Sequence, residues 1–565
     1  MKRHMRDNYY VVGEGILTRD HDGAPICERP STAASLRKFR FSRLGPQGEP
    51  GGPELHEPLA VAMTRTGGQP NSGIPAGFTY LGQFVDHDLT MDRTAASLGD
   101  AVTVDELLQG RSPALDLDSL YGRGPGHPED RRFYASDGVK LRVGRTSAVP
   151  IDDKTNRDLI GFDLPRTGFG STRDARRTPD IPDHRNDENL AVAQVHLAFI
   201  RFHNRVVDEL TARGVSGPAL FREARATVVR HYQWMLRTDL LPRIIDPVIV
   251  DDVFTNGRRF FEVPGGDPAD PYGYGATRTT HGRWNRPGDT PTMPIEFSVA
   301  AYRLGHAMIR GAYQWNRIFN SDGPLGIATL SLLFRFSGTS GNLSPGPDDL
   351  SDLADPDSGA FETLPTNWIA DFRRLFDFGE AGRTDLVVPA EAFNVAKRID
   401  TLLVDPLSLL PLGSFGGRGT SPATIQRNLA FRNLVRSDMV KLASGQQMAE
   451  LLEIDKPLEA DQILLGNGGA VLDGLTESQR TALVERTPLW FYILREAELQ
   501  DGRLTGVGGR IAAEVFHRAI EGSETSILRT PSWRPDLGPD PDTFRMVDLL
   551  LFAFNHDAEL LNPLG

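Results

Sequence analysis

Tyr80-Leu81-Gly82-Gln83-Phe84-Val85-Asp86-His87-Asp88-Leu89-Thr90 is the stretch on which the reading of this chain turns. It sets a histidine between two aspartates, with a glutamine one helical turn earlier. On a helix, Gln83 and His87 share a face by the i, i+4 rule, while Asp86 and Asp88 point to different sides. A face carrying Gln and His in so apolar a segment is costly unless it lines a cavity. Taken alone the stretch is ambiguous. It also reads as a helix terminus with capping carboxylates, and His87-Asp88 also reads as the metal dyad of a phosphohydrolase.

Outward from this segment the apolar spacing is mostly helical. The period from Glu188 to about Ala212 places Ala191, Val195, Ala198, Phe199, Phe202 and Val206 on one face. A second helix is expected from about Ala219 to Leu240, with Gly214 and Gly217 as the break between them. Another begins near Ile295 and passes through Arg303 and His306. Helical patterns return at Trp368–Phe378, Ala423–Leu442, Gln447–Leu452, Glu477–Gln500 and Val507–Ile520. The expected fold is therefore mainly α with long loops and little β, since no βαβ alternation appears. Residues 1–75 read as an irregular arm, 76–565 as one helical domain, 255–293 as a surface loop and 338–359 as a disordered loop.

Composition narrows the function. With 39% hydrophobic and 24% charged residues the chain has the make-up of a soluble globular protein. Its formal charge of −13 argues against a nucleic-acid surface. Cys27 is the sole cysteine, which excludes an intrachain disulfide and a thiolate cage. The 13 histidines form no His-Glu-x-x-His element, so zincin chemistry has no basis. The Gly413–Gly419 and Gly506–Gly509 stretches lack the Lys-Ser/Thr ending of a phosphate loop and read as turns. No apolar run long enough for a membrane span is present, and Met1-Lys2-Arg3-His4 and onward lacks the apolar core of a secretory signal. The expected location is cytoplasmic, or exported without a cleaved leader.

Four segments in order then carry a resemblance. Gly82–Asp88 resembles the distal-haem segment of the animal-type haem peroxidases, within the peroxidase–cyclooxygenase superfamily. Asp183-His184-Arg185-Asn186-Asp187-Glu188-Asn189 resembles the stretch bearing the family's catalytic arginine, and Val195–Arg205 the helix that follows it. Tyr302-Arg303-Leu304-Gly305-His306 resembles the segment with the proximal iron ligand. Arg432-Asn433-Leu434-Val435-Arg436 resembles the segment bearing the proximal Asn and a propionate-binding Arg. Four ordered segments displace the phosphohydrolase reading, and within the family a bacterial-type member is expected.

The resemblance implies haem b and a set of roles. His87 would move a proton between the peroxide oxygens, a task suited to an imidazole near neutral pH. Gln83 would position peroxide, and Arg185 would stabilise charge as the O–O bond breaks. His306 would bind iron, with Asn433 fixing its ring, and Arg303 and Arg436 would meet the propionates. Asp86 and Glu188 stand where family members form ester links to haem, whereas Asn189 stands in place of the sulfonium-forming Met. The loop Ser112–Gly122 is similar to the family's calcium loop, which implies Asp88, Ser112, Ala114 (through its carbonyl), Asp116 and Asp118 as Ca²⁺ ligands. His196, His203 and His231 read as packing or hydrogen-bonded histidines, and Trp234, Trp368 and Trp490 as core.

The expected activity is peroxidation, with hydrogen peroxide oxidising a halide, pseudohalide or small organic donor. Two alternatives come from other classes. One is a haem-dependent fatty-acid dioxygenase. Tyr302 lies four residues before His306, whereas the radical tyrosine of those enzymes lies three before, where Arg303 stands here. The other is a non-catalytic, calcium-binding adhesion protein on the same scaffold.

Overall fold

The decisive segment is a helix. In the computed structural model α1 spans Pro53–Met63 and α2 spans Gly77–Leu89. The start of α2 is fixed from outside: Ala76 N–H donates to Asn394 O and Gly77 N–H to Leu375 O. Gly77 is required there, because a Cβ would sit 2.3 Å from the Phe376 ring. The helix ends at Thr90, whose backbone turns extended and whose hydroxyl donates back to Asp86. The structure describes residues 39–263, 290–345, 357–411 and 422–565, apart from 50, 51, 66, 67 and 95, with positions 353 and 355 and the backbone of three short strands before residue 28.

Behind α2 lies α3, Leu190–Ala212, opened by Asn189, whose side chain accepts the Val192 N–H. Asn at this position satisfies one of the helix's orphan donors. Phe84 of α2 stacks on Phe199 of α3, with ring centroids 4.5 Å apart and planes 9° apart. Such a pair adds about 1 kcal/mol to the burial of the rings themselves. α3 also packs against α4, Pro218–Met235, which continues as a π-helical turn over Leu236–Leu240.

On the other side of the site the chain is irregular. Glu296–Ala300 is π-helical, Ala301–Leu304 is a 3₁₀ turn and Gly305–Met308 a single α turn. Next come α5, Leu429–Met439, capped by Asn428; α6, Leu489–Leu499; α7, Gly506–Glu521; and α8, Met546–Ala553. α5 packs on α1, α6 on α7, and α8 on α3. Strands are short. A three-stranded antiparallel sheet joins Asn8–Val11, Gly15–Arg19 and Pro25–Cys27, and Phe41–Ser42 pairs in parallel with Met293–Pro294. Asn71–Pro75 pairs antiparallel with Val395–Lys397, leading into α2. The protein is mainly α, as its sequence indicated.

Four expectations need correcting. Gly506–Gly509 is not a loop turn but the first turn of α7. The arm contains α1, because Pro53 sits in the first turn where its missing N–H is harmless and Leu55, Leu59 and Met63 are buried at helical spacing. The Trp368–Phe378 segment is not one helix but a run of 3₁₀ turns. Asp371 and Asp377 accept the N–H groups of Arg373 and Gly379, and such local bonds compete with helix. The Glu477–Gln500 pattern is divided into Glu477–Glu485 and Leu489–Leu499 at Pro488, which has no N–H to donate. The greater part of the expected 255–293 loop (residues 264–289), the Gly413–Gly419 turn, most of the 1–38 arm and residues 346–352, 354 and 356 of the 338–359 loop lie outside the described residues.

Candidate active site

A cavity of about 280 Å³ lies between α2 and the Glu296–Met308 segment. It gathers Gln83, Asp86 and His87 from α2, Arg185 and Glu188 from the turn before α3, Arg303 and His306 from the opposite wall, and Asn433 and Arg436 from α5. These nine are the side chains that the sequence assigned to distal and haem-binding positions.

His87 is 4% exposed. Its Nδ1 lies 2.9 Å from Asn186 Oδ1, and its Nε2 lies 3.6 Å from a Glu188 oxygen. Burial, reinforced by the Arg185 charge, lowers its pKa to about 3, so the imidazole is neutral. Arg185 is fastened beside it. One guanidinium nitrogen donates to the carbonyls of His87 and Thr90 at 3.1 and 2.7 Å, and to Asp183 at 2.8 Å. Gln83 donates to Glu188 at 2.6 Å and accepts from Asn189 at 2.9 Å. Asn189 therefore both caps α3 and holds Gln83.

Across the cavity, His306 Nδ1 lies 3.0 Å from the Asn433 side-chain nitrogen. Half a turn about the last Asn433 torsion puts its oxygen in the same place. In that orientation Nδ1 donates and Nε2 is bare. Burial, then the Arg303 charge, lowers the His306 pKa to about 3. Arg303 donates to Ser298 O at 3.0 Å, and Arg436 pairs with Asp92. Two neutral imidazoles facing one cavity, with guanidinium groups on its wall, fit a haem: a ring nitrogen must be unprotonated to bind iron, and propionates need cationic partners.

Both carboxylates of the expected ester positions line this cavity. Burial raises the pKa of Asp86, and it raises that of Glu188 to about 7 even though Arg185 opposes the shift. Glu188 keeps 35% of its side chain accessible.

The acidic loop is buried against the back of α2. Asp88 accepts the N–H groups of Leu117 and Ser119 and the Ser119 hydroxyl, each at 3.2 Å. Burial, with Asp118 and Asp116 nearby, raises the Asp88 pKa to about 7. Asp118 lies 3.8 Å from Arg225, and Asp116 accepts from Ser523 at 2.6 Å and from the Glu524 N–H at 3.0 Å. Ser112 and Ala114 are buried in the same loop. Among the described residues no three His, Cys, Asp or Glu side chains converge as a metal cage. Of the expected ligands, Asp116 and Asp118 lie near Asp88, and Asp116 is turned toward the Ser523 turn.

Reasoning from sequence missed three supporting residues. Asn186 contacts His87, Asp183 is shared by Arg111 and Arg185, and Asp92 pairs with Arg436. Their roles depend on contacts 72 to 344 positions away, apart from the local Asp183–Arg185 bond. The capping Asp183, two before Arg185, was the one local signal. His203 and His231 are buried and hydrogen-bonded, and Trp234, Trp368 and Trp490 are buried in the core, as the sequence indicated.

Comparison with known proteins agrees with this geometry. A family model described as animal haem peroxidase matches residues 90–335. A peroxidase-like protein of Margaritifera margaritifera is 29% identical over 295 residues, which is 46% of this chain and 34% of that protein. Thyroid peroxidase of Rattus norvegicus is 29% identical over 211 residues, 36% of this chain and 19% of that protein. The matched stretches thus span about a third or less of these relatives. Two solved structures share the fold across nearly the whole chain. Peroxidase A from Dictyostelium discoideum has a TM-score of 0.53 at 13% identity, covering 90% of this chain and 95% of that one. A variant of the Oryza sativa fatty acid alpha-dioxygenase, solved with palmitic acid, has a TM-score of 0.52 at 11% identity, covering 100% and 89%. The family model and the relatives together identify residues 90–335 as an animal haem peroxidase domain, and the fold around them is shared with these solved structures across nearly the whole chain.

Proposed function

We propose that this protein is a haem-dependent peroxidase that uses hydrogen peroxide to oxidise a halide, a pseudohalide or a small organic donor. One observation carries the reading: His87, buried, and His306, half-buried, line the same cavity, each neutral and each engaged through Nδ1 by an asparagine. That arrangement leaves two Nε2 atoms for the cavity, one for iron and one for a proton.

Haem, when bound, supplies an iron that binds peroxide and reduces it by two electrons. His306 Nε2 would hold that iron, with Asn433 setting the ring's orientation. His87 Nε2 would take the proton from the near peroxide oxygen and return it to the departing one. Arg185, already fixed by Asp183 and two carbonyls, would offset negative charge there without reorganising. Gln83 would hold the incoming peroxide or water. Arg303 and Arg436 would meet the propionates, Arg436 by exchanging Asp92 for one.

Asp86 and Glu188, which line the cavity, would form ester links to haem methyl groups. Pigment left on the polypeptide after acid-acetone extraction is the expected result, and complete extraction refutes it. Ca²⁺ held by Asp88, Asp118, Asp116, Ser112 and the Ala114 carbonyl is part of the same reading, since a divalent cation would relieve the repulsion among the three buried carboxylates.

The decisive experiment is an absorption spectrum of haem-loaded protein before and after peroxide. A Soret band that shifts on peroxide and returns on adding iodide, thiocyanate or a phenolic donor is expected. A band that never responds to peroxide removes the reading, and protein that takes up no haem at all points to the non-catalytic alternative.

A haem-dependent fatty-acid oxygenase is the second reading, favoured by one observation. Tyr302 lines the cavity, and its buried hydroxyl has no hydrogen-bond partner among the described residues. Oxygen uptake with a fatty acid and no turnover of phenolic dyes would select it.

A further inference from the structure

Behind the distal histidine the hydrogen bonds continue to a residue that the chemistry above does not use. His87 Nδ1 meets Asn186 Oδ1 at 2.9 Å, and Asn186 Nδ2 meets His196 Nδ1 at 2.9 Å. Asn186 and His196 are fully buried, and neither lines the cavity. His196 is carried by α3 and packs against Phe84 of α2, with ring centroids 5.7 Å apart and planes at 71°. Its Nε2 has no hydrogen-bond partner among the described residues. An imidazole buried with one nitrogen unmatched is less favourable there than an apolar side chain of similar size. What it adds is an acceptor for the Asn186 amide.

A carboxamide has an acceptor end and a donor end, so Asn186 ties together the tautomers of its two neighbours. With its oxygen toward His87, that ring carries its proton on Nδ1 and turns a bare Nε2 to the cavity. His196 then accepts at Nδ1 and carries its own proton on Nε2. With the amide reversed, His87 would present Nε2–H to the cavity and could not take a proton from peroxide. We propose that Asn186 and His196 are positioning residues that hold His87 in the Nδ1–H tautomer, so that the nitrogen facing the cavity is the basic one. This rests on the peroxidase reading of the cavity, and both residues act through His87.

The tautomers are read directly from protein labelled with ¹⁵N in its histidine side chains and loaded with diamagnetic zinc protoporphyrin. Protonated and bare imidazole nitrogens have well-separated ¹⁵N shifts, and His87→Gln and His196→Gln assign the signals by their loss. The expected pattern is Nδ1–H with bare Nε2 on His87, and Nε2–H on His196. A proton on His87 Nε2 in the wild type overturns the proposal, whatever the protein does with peroxide. In haem-loaded protein, Asn186→Leu should slow the bimolecular reaction with peroxide about 10- to 100-fold. The later oxidation of a phenolic donor should keep its wild-type rate. Asn186→Asp, which still offers an oxygen to His87 Nδ1, should recover most of the loss. Equal losses in the Leu and Asp variants, or loss of both steps together, would reduce Asn186 to packing and overturn the proposal. A wild type with the expected tautomers that does not react with peroxide would instead sink the peroxidase reading, and the clamp's purpose with it.

Discussion

The two walls of the cavity use the same pair of residue types, a histidine engaged by an asparagine, on backbones of opposite character. On the distal wall, Phe78, Thr79 and Tyr80 reach the cavity from the first turn of α2, and beyond them Gly82, Gln83, Asp86, His87 and the capping Thr90 line it at the three- and four-residue spacing of a regular helix. On the proximal wall, five consecutive residues, Tyr302 to His306, line it. A regular helix cannot do that, since successive side chains are turned about 100° apart. The change from π to 3₁₀ to α hydrogen bonding over Glu296–Met308 makes it happen. On the proposed reading, a base that moves a proton must be held in place, and the packed pair α2–α3 would serve that. The proximal wall would instead bring an iron ligand, a cation and an aromatic side chain to one short stretch of surface.

The sharpest way to break the comparison is to remove each imidazole in turn. His306→Ala should lose iron coordination and with it most of the haem, read as pigment content and the Soret band of purified protein. His87→Gln should keep the haem and lower the rate of reaction with peroxide by about 10²- to 10⁴-fold. If the two variants behaved alike, the division of labour between the walls would be wrong.

The distal wall's rigidity has its own test. Phe84 is fully buried, stacks on Phe199 and meets His196 and Tyr232 edge-on. Phe84→Ala should destabilise the fold by about 3–5 kcal/mol in denaturant unfolding. A loss below about 1 kcal/mol would mean that α2 does not depend on α3 for its position.

The contrast also explains what could be read from sequence. The distal wall was legible because Gln83 and His87 obey a local spacing rule, and the family segments fixed the partners Arg185, His306 and Asn433. The helices with strong apolar periods, Leu190–Ala212 and Gly506–Glu521, appeared within two residues of their expected limits. Illegible were features decided by distant chain. The Phe376 ring sets the beginning of α2, Asp92 engages Arg436, and the register changes before His306 have no periodic signature. Asn186 escaped notice for the same reason, since its two partners lie 99 positions before it and 10 after it.

Calcium would stiffen the distal wall from behind, and pH can show whether it does. Burial, with Asp118 and Asp116 nearby, raises the Asp88 pKa to about 7 in the metal-free fold, while in the unfolded chain it keeps its ordinary value of 3.8. The folded state therefore binds more protons between those values, and the contribution from Asp88 is present at low pH and lost as pH rises toward 7. Comparing wild type with Asp88→Asn under chelator isolates it. Their difference in unfolding free energy should change by roughly 2–4 kcal/mol between pH 4 and pH 7.5. Added Ca²⁺ should flatten the wild-type curve and leave the variant's unchanged. An identical pH dependence in both proteins, with and without Ca²⁺, would remove the cation from this loop.

The smallest expected effect falls on the proximal wall. Tyr302 stacks on Phe297, with centroids 4.8 Å apart and planes 9° apart, and meets Phe516 edge-on at 5.2 Å. Its hydroxyl is buried without a partner among the described residues, so Tyr302→Phe deletes an unmatched polar group and keeps every ring contact. Stability should change by less than about 0.5 kcal/mol, or improve. On the peroxidase reading the rate with peroxide is also unchanged, because the iron ligand and the distal base are untouched. A variant as stable as the wild type that had lost fatty-acid-dependent oxygen uptake would assign the hydroxyl to chemistry. It would make the proximal wall, with its irregular backbone, the one that chooses the reaction.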